Sequence, residues 1–243
     1  MDMLRAARVE DGACRHMLAW RAGPGWRMVS SSVLGGGLGA REWVLNAQVR
    51  PGYDRMDPEA HLRGLAAGLG LRGPGVGLMT AASVDAFVRA ADDEVEAVVT
   101  AGLGVPTWAA APDHVPAPYR PGTINIIAAV PAALTDAALV NCVGTATEAK
   151  VQALLDAGYD CSGTPSDAVC IAARTPATAY GAPPEPFGGP RSRWGARLAR
   201  AVYAAVYQSA SEDAARRAHG EPAVHAETRQ ACTTPPLQSA WIS

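Results

Sequence analysis

Apolar and polar positions follow two periods along this chain. Residues 26–34 (WRMVSSSVL) and 43–49 (WVLNAQV) are rich in Val and Trp and partly alternate, the two-residue period of a strand. Residues 76–80 read as a short strand, and 94–100 (EVEAVVT) alternate cleanly. Residues 123–130 (TINIIAAV) and 168–173 (AVCIAA) are unbroken apolar runs of strand length, the pattern of strands covered on both faces. Helical signals stand between them. Residues 58–69 have Asp57 at the N-cap, Pro58 at the first helical position, Glu59 in the first turn and Gly70 as a stop. Ser83 caps a predicted helix over 84–91. Thr135 or Asp136 opens a long helical region to about residue 157, with Gly144 a candidate break and Gly158 a C-cap. Residues 193–218 put Leu198, Val202, Ala205, Val206 and Ser209 on one stripe. The Arg-rich stretch 1–23 is expected to pair with the chain from Trp26 onward, and 220–243 lack any periodicity. The order of elements predicts an α+β (mixed α/β) fold, one domain over 1–219 with a mixed sheet covered by helices, and a flexible tail over 220–243.

Composition narrows the function classes. The 243 residues are 49% hydrophobic, too apolar for a disordered chain, and carry a formal net charge of −2. A dedicated polyanion binder needs a basic surplus, so a small-molecule partner is expected and nucleic acid is not. The start MDMLRAARVEDG has no apolar core of a signal peptide. The longest apolar stretch, 124–134, contains Pro131 and is far short of a bilayer span, so no membrane partner is expected. The cysteines, Cys14, Cys142, Cys161, Cys170 and Cys232, are odd in number and form no C-x-x-C pair, which fits a reducing cytoplasm and carries no zinc signature. Of 21 basic residues only Lys150 is a lysine. In so arginine-biased a chain, a surviving lysine marks a place where a compact ammonium differs from a guanidinium, or else survives by chance on a solvated face.

Three constellations are candidates for chemistry. Gly35, Gly37 and Ala40 have the spacing of a dinucleotide fingerprint, but a strand rather than a helix is predicted to follow, which favours a Gly-rich hairpin. Thr145, Thr147, Glu148 and Lys150 crowd six positions. With Thr147 as an N-cap, the free N–H groups of 147–150 would suit an anion or an oxyanion; the plainer alternative is a capped helix start with exposed charges. The turn Gly163-Thr164-Pro165-Ser166-Asp167 leads into the apolar strand 168–173, as an active-site loop or an ordinary turn does. Ser30, Ser31, Ser32, Asn46 and Asn125 are polar groups in apolar strands and need partners. Among the histidines, His61 is assigned to a helix surface, whereas His114 lies beside Trp108 and Tyr119 in the long loop 106–121 and is a candidate lid residue. Neither G-x-S-x-G nor H-E-x-x-H is present.

These segments together resemble the CbiZ family of adenosylcobinamide amidohydrolases. The resemblance is carried by SSSVLGGGLG (30–39), WVLNAQV (43–49), GLMTAASV (77–84), VVTAGL (98–103), the run 121–158 with its TEAK sequence, and SGTPSDAVCIAA (162–173). The family turn reads closer to SGTGTDAV, so Pro165 and Ser166 depart from it and Pro165 stiffens the approach to Asp167. The resemblance implies hydrolysis of the amide that joins aminopropanol to a corrin propionate, giving adenosylcobyric acid and 1-amino-2-propanol in corrinoid salvage for coenzyme B12. It implies a corrinoid substrate that brings its own cobalt and no cofactor held by the protein. A homo-oligomer stays open.

The expected site follows from both readings. Glu148 or Asp167 acts as a general base on water, or on a hydroxyl such as Thr145, Thr164 or Ser166, while Lys150 and the 147–150 amides hold the oxyanion. Thr147, Thr164, Ser166, Asn125, Ser31, Asn46, Trp108 and His114 are the expected substrate-binding residues. The rival readings are a non-catalytic corrinoid-binding domain and an amide hydrolase of the same fold with another substrate.

Overall fold

The computed structural model describes residues 1–112, 122–179, 183–219 and 240–242. Its first sheet holds β1 (Met3–Glu10), β2 (Ala13–Trp20), β5 (Trp43–Gln48), β6 (Gly75–Thr80) and β11 (Ala240–Ile242), in the order β11-β1-β2-β5-β6. The second holds β3 (Trp26–Ser30), β4 (Gly37–Ala40), β7 (Val88–Asp92), β8 (Val95–Gly102), β9 (Thr123–Ala133) and β10 (Ala168–Arg174), in the order β4-β3-β10-β9-β8-β7. Each sheet contains a parallel pair, β5 with β6 and β9 with β10. A parallel pair needs a crossover, and helices α1 (Pro58–Gly68) and α2 (Asp136–Asp156) supply the two. Helix α3 is Arg193–Ala218.

The apolar faces stack these elements into four layers. Leu18, Trp20, Met28, Val44, Leu78 and Ile127 meet between the two sheets. Leu45, Ala47 and Trp43 point the other way, onto Leu62 and Ala66 of α1. Ile126, Ala128 and Ile171 point away from the first sheet, onto Leu139, Leu154 and Leu198 of α2 and α3. Strands β5, β9 and β10 are therefore covered on both faces, and β9 and β10 accordingly read as unbroken apolar runs. Among the described residues no helix is long and apolar enough to cross a membrane.

The α+β class holds, with two sheets where one was expected. Residues 1–23 form the β1–β2 hairpin, which pairs with β5 (Trp20 opposite Val44, Met17 opposite Ala47) and not with β3. The predicted helix 84–91 is a single 3₁₀ turn, Val84–Ala86, capped by the Ser83 hydroxyl, which accepts from the Asp85 N–H at 3.3 Å. The chain then turns back as β7 because alternating Val88–Asp92 finds a partner in β8. Helix α2 runs unbroken through Gly144 from its cap at Thr135, whose hydroxyl accepts from the Ala138 N–H at 3.1 Å. The glycine-rich segment 35–40 is a hairpin connection, with β4 antiparallel to β3. Gly35 has φ +70°, and a Cβ there would stand 1.9 Å from the Gly75 carbonyl. Within the expected tail, residues 240–242 pair with β1. Cys14 is disulfide-bonded, against the expected set of reduced thiols, while Cys142, Cys161 and Cys170 are free and buried.

Candidate active site

A cleft of about 530 Å³ opens at one end of the two-sheet sandwich. The first sheet contributes Met79, Thr80 and Ala81 at the end of β6, and the chain leaving β5 contributes Arg50 and Tyr53. The second sheet contributes Ser31, Ser32 and Val33 beyond β3, Thr123 at the start of β9, and Ser166, Asp167 and Ala168 at the start of β10.

The parallel register places Ala168 beside Asn125, so the two strand starts lie side by side. The Thr123 and Ser166 hydroxyl oxygens are therefore 2.7 Å apart, and the Ser166 hydroxyl donates to the Gly122 carbonyl at 2.9 Å. Asp167 ties this corner together. Its Oδ1 accepts from the Ile124 N–H at 2.9 Å and from the Thr164 hydroxyl at 2.5 Å. Its Oδ2 accepts from Lys150 Nζ at 2.5 Å and from the Thr164 N–H at 3.2 Å. Four donors fill the four lone-pair positions of a carboxylate. Lys150 reaches the turn from the middle of α2, and the ion pair is nearly closed to water, with side-chain exposures of 9% and 12%. A Cβ on Gly163 would lie 2.3 Å from Asp167 Oδ2 and 2.6 Å from Lys150 Nζ, so only a glycine lets the pair close against the backbone.

Other expected residues fall into three groups. Ser31 lines the cleft, and its hydroxyl accepts from the Val169 N–H at 3.1 Å, extending the β3–β10 pairing. Asn46 and Asn125 lie behind the cleft as a buried bridge between the sheets. Asn46 donates to the Thr100 hydroxyl, and Asn125 to Asn46 Oδ1 and to the Met79 carbonyl, each at 2.9 Å. The remainder stand elsewhere. Thr145 is buried and donates to the Gly188 carbonyl at 2.9 Å. Thr147 is exposed and donates to the Val143 carbonyl at 2.8 Å. Glu148 is exposed on α2, outside the cleft lining. The expected oxyanion site at the 147–150 amides is corrected by the helix itself: α2 starts at Asp136, so these amides lie in its interior, where N–H groups bond to carbonyls one turn back. Trp108 is 44% exposed and outside the cleft lining, although its loop is pinned to the turn by the Thr107 N–H, which donates to the Gly163 carbonyl at 2.9 Å. His114 lies outside the described residues.

Sequence reasoning missed Thr123, Thr80, Arg50 and Tyr53 as cleft residues. Thr123 and Thr80 carried a usable signal, since each is a hydroxyl at the very end of an apolar strand. The free cysteines do not supply a nucleophile. Burial pushes the Cys161 thiol up, Cys142 up to about 11 and Cys170 up to about 12, so none is a ready thiolate. Among the described residues no group of three or more His, Cys, Asp or Glu side chains is placed to hold a metal ion.

The CbiZ family model, described as adenosylcobinamide amidohydrolase, matches residues 2–218. A Methanosarcina mazei protein named adenosylcobinamide amidohydrolase is 36% identical over 145 residues, which is 60% of this chain and 68% of that protein. A Halobacterium salinarum protein of the same name is 37% identical over 172 residues, 67% of this chain and 71% of that protein. The whole cleft and the Lys150–Asp167 pair fall inside the family match.

Proposed function

Because the chain belongs to the CbiZ family of adenosylcobinamide amidohydrolases, we propose that it hydrolyses the amide bond of adenosylcobinamide to adenosylcobyric acid and 1-amino-2-propanol, a salvage step toward coenzyme B12. The observation that carries this reading is the locked Lys150–Asp167 pair at a cleft that also holds the hydroxyls of Ser31, Ser32, Thr80, Thr123 and Ser166 among apolar side chains, with Arg50 on the opposite wall. About 530 Å³ takes a propionamide arm but not a whole corrinoid. The ring therefore lies across the mouth, where Val33 is 53% exposed and offers it an apolar contact. The cobalt arrives with the substrate.

Uncatalysed amide hydrolysis is slow, so the site must hold the carbonyl, activate a nucleophile and protonate the leaving amine. The Thr123 and Ser166 hydroxyls, with Ser31, grip the carboxamide. Asp167 fixes the turn that presents Ser166 and places its negative charge near the leaving nitrogen. Lys150 is a positioning residue that holds that carboxylate in place. The Ser166 hydroxyl is spent on the Gly122 carbonyl rather than on a base, which favours attack by water over an acyl-enzyme.

The test is to incubate the purified protein with adenosylcobinamide and analyse the products by mass spectrometry. Release of adenosylcobyric acid and aminopropanol is expected, and its loss in Asp167→Asn. A changed corrinoid absorption spectrum with no release would leave only a corrinoid-binding domain. Cleavage of other amides but not this one would make the chain a hydrolase with another substrate.

A further inference from the structure

Asp167 has its lone pairs filled, and the Ser166 hydroxyl is engaged, so the wall built by the second sheet lacks a group poised to take a proton from water. The opposite wall holds one. Tyr53 lines the cleft, and its hydroxyl is 3.0 Å from Nδ1 of His61. The two rings stack with nearly parallel planes, 9° apart, and centroids at 5.7 Å. His61 is 8% exposed, on the inner face of α1 rather than the helix surface expected for it. Its Nε2 is 3.2 Å from Glu10 Oε1. The other oxygen of Glu10 accepts from Arg8 Nε at 2.8 Å, and Arg8 also donates to the Gln48 carbonyl at 2.7 Å. A strand residue, Glu10, thus joins a loop and helix some forty or more positions further along the chain in one hydrogen-bonded line that ends in the cleft.

We infer that Glu10, His61 and Tyr53 form the proton relay of this cleft, with Tyr53 touching the reacting water and amide and with His61 and Glu10 as positioning residues behind it. The inference rests on the amidohydrolase reading above.

The charged Glu10 carboxylate can only accept, so Nε2 carries the proton and Nδ1 accepts from the Tyr53 O–H. In the forward step water attacks the carboxamide carbon and gives a proton to the Tyr53 oxygen. The Tyr53 proton passes to Nδ1, and the resulting imidazolium is held by Glu10. As the C–N bond breaks, the leaving nitrogen takes a proton from Tyr53 and His61 returns its own to the phenol. Water is consumed, acid and amine are released, and all three side chains end as they began. The environment agrees with this resting state. Burial is the largest influence on His61 and holds it below its ordinary value, with Arg55 and Arg8 acting in the same sense and Glu10 and Asp57 opposing. Burial holds the Tyr53 phenol above its ordinary value, so the O–H is kept.

The test measures kcat and corrinoid affinity on adenosylcobinamide for the full chain and for Tyr53→Phe and His61→Gln. Affinity is read by absorbance titration, and circular dichroism confirms folding. Tyr53→Phe is expected to bind the corrinoid within about threefold of the unaltered protein while kcat falls on the order of 100-fold. In the unaltered protein kcat falls as pH drops and His61 takes a proton on Nδ1; His61→Gln should lose that acid limb. Should His61→Gln not fold, the Tyr53→Phe split between kcat and affinity decides alone. Full turnover by Tyr53→Phe, or an unchanged acid limb in folded His61→Gln, overturns the relay while leaving the amidohydrolase reading intact. No turnover by the unaltered protein overturns both.

Discussion

The two β–helix–β crossovers solve the same topological problem and end up with opposite characters. In the unit β9–α2–β10 the helix has 21 residues, a side-chain cap at Thr135, and a lysine in its middle that closes onto the turn before the returning strand. Nearly every polar group at that turn has a partner. In the unit β5–α1–β6 the helix has 11 residues, and Asp57 stands at the cap position without a side-chain cap bond. The loop from Arg50 to Asp57 is half-buried or exposed throughout, and its links to the body include the Tyr53 hydroxyl at the buried His61 and the Arg50–Asp11 ion pair at 3.8 Å. One wall of the cleft is thus a rigid template and the other a proton-conducting edge. Saturated hydrogen bonding fixes geometry, whereas proton transfer needs an acceptor that can change state.

The largest break in this contrast comes from removing the ammonium. Lys150→Met leaves the Asp167 carboxylate almost closed to water with no cation beside it, a situation that costs about 3–5 kcal/mol. In a chain of this length that lowers Tm by roughly 10 °C, readable by calorimetry, and amide hydrolysis should fall below detection. Lys150→Arg sharpens the point. It restores the charge, but a planar guanidinium is broader than an ammonium and must fit where a Cβ on Gly163 would already meet Nζ at 2.6 Å. Activity should therefore stay low, and turnover close to that of the unaltered protein would show that charge alone suffices there.

Gly163→Ala perturbs the same pair from the backbone side. The added carbon meets Asp167 Oδ2 at 2.3 Å, so the turn must shift or the ion pair must open. Overpacking of this kind costs about 1–3 kcal/mol. Turnover should drop at least tenfold, because Ser166 is carried on the turn that moves. Equal stability and equal turnover in the variant would mean that the turn is looser than its hydrogen bonds indicate.

The contrast also explains which parts of the molecule are legible in the amino-acid sequence. Strands β9 and β10 are legible because both faces are covered, and an unbroken apolar run says so directly, whereas β5 is legible through its Val- and Trp-rich, partly alternating pattern. The nearness of Lys150 to the 163–167 turn is legible through rarity, as the only lysine, although its ammonium pairs with Asp167 rather than standing free for the oxyanion expected of it. Its neighbours are misplaced by sequence reasoning because helix phase depends on where the helix begins. Once α2 starts at Asp136, Ala146, Ala149 and Lys150 turn inward while Thr147 and Glu148 turn to solvent. Residues 84–91 carry both a cap and an alternating segment, and the partner strand β8 decides in favour of the strand. The β1–β2 hairpin carries a local signal that the reading of 1–23 left unused, the two-residue Asp11-Gly12 turn with both φ angles positive (52° and 72°). The Glu10–His61–Tyr53 line is not legible, because it depends on the packing of β1 against α1, which no local pattern announces.

The smallest expected effects test whether the two crossover helices are anchored as differently as their caps indicate. Thr135→Ala removes a hydroxyl that accepts from the Ala138 N–H at 3.1 Å, which costs about 1 kcal/mol, or roughly 2–4 °C in Tm. Asp57→Ala removes no such bond, and the exposed pair of Asp57 with Arg55 adds little in water, so the loss should be smaller than for Thr135→Ala. The Arg55 guanidinium holds the Asp57 carboxyl below its ordinary range, so what the pair contributes is present at neutral pH and fades as pH falls through the Asp57 titration. Hydrogen exchange on the first turn of each helix gives the same comparison without unfolding the protein. Faster exchange at 59–61 than at 136–139 is expected, and the reverse order would move the rigid template to the other wall of the cleft.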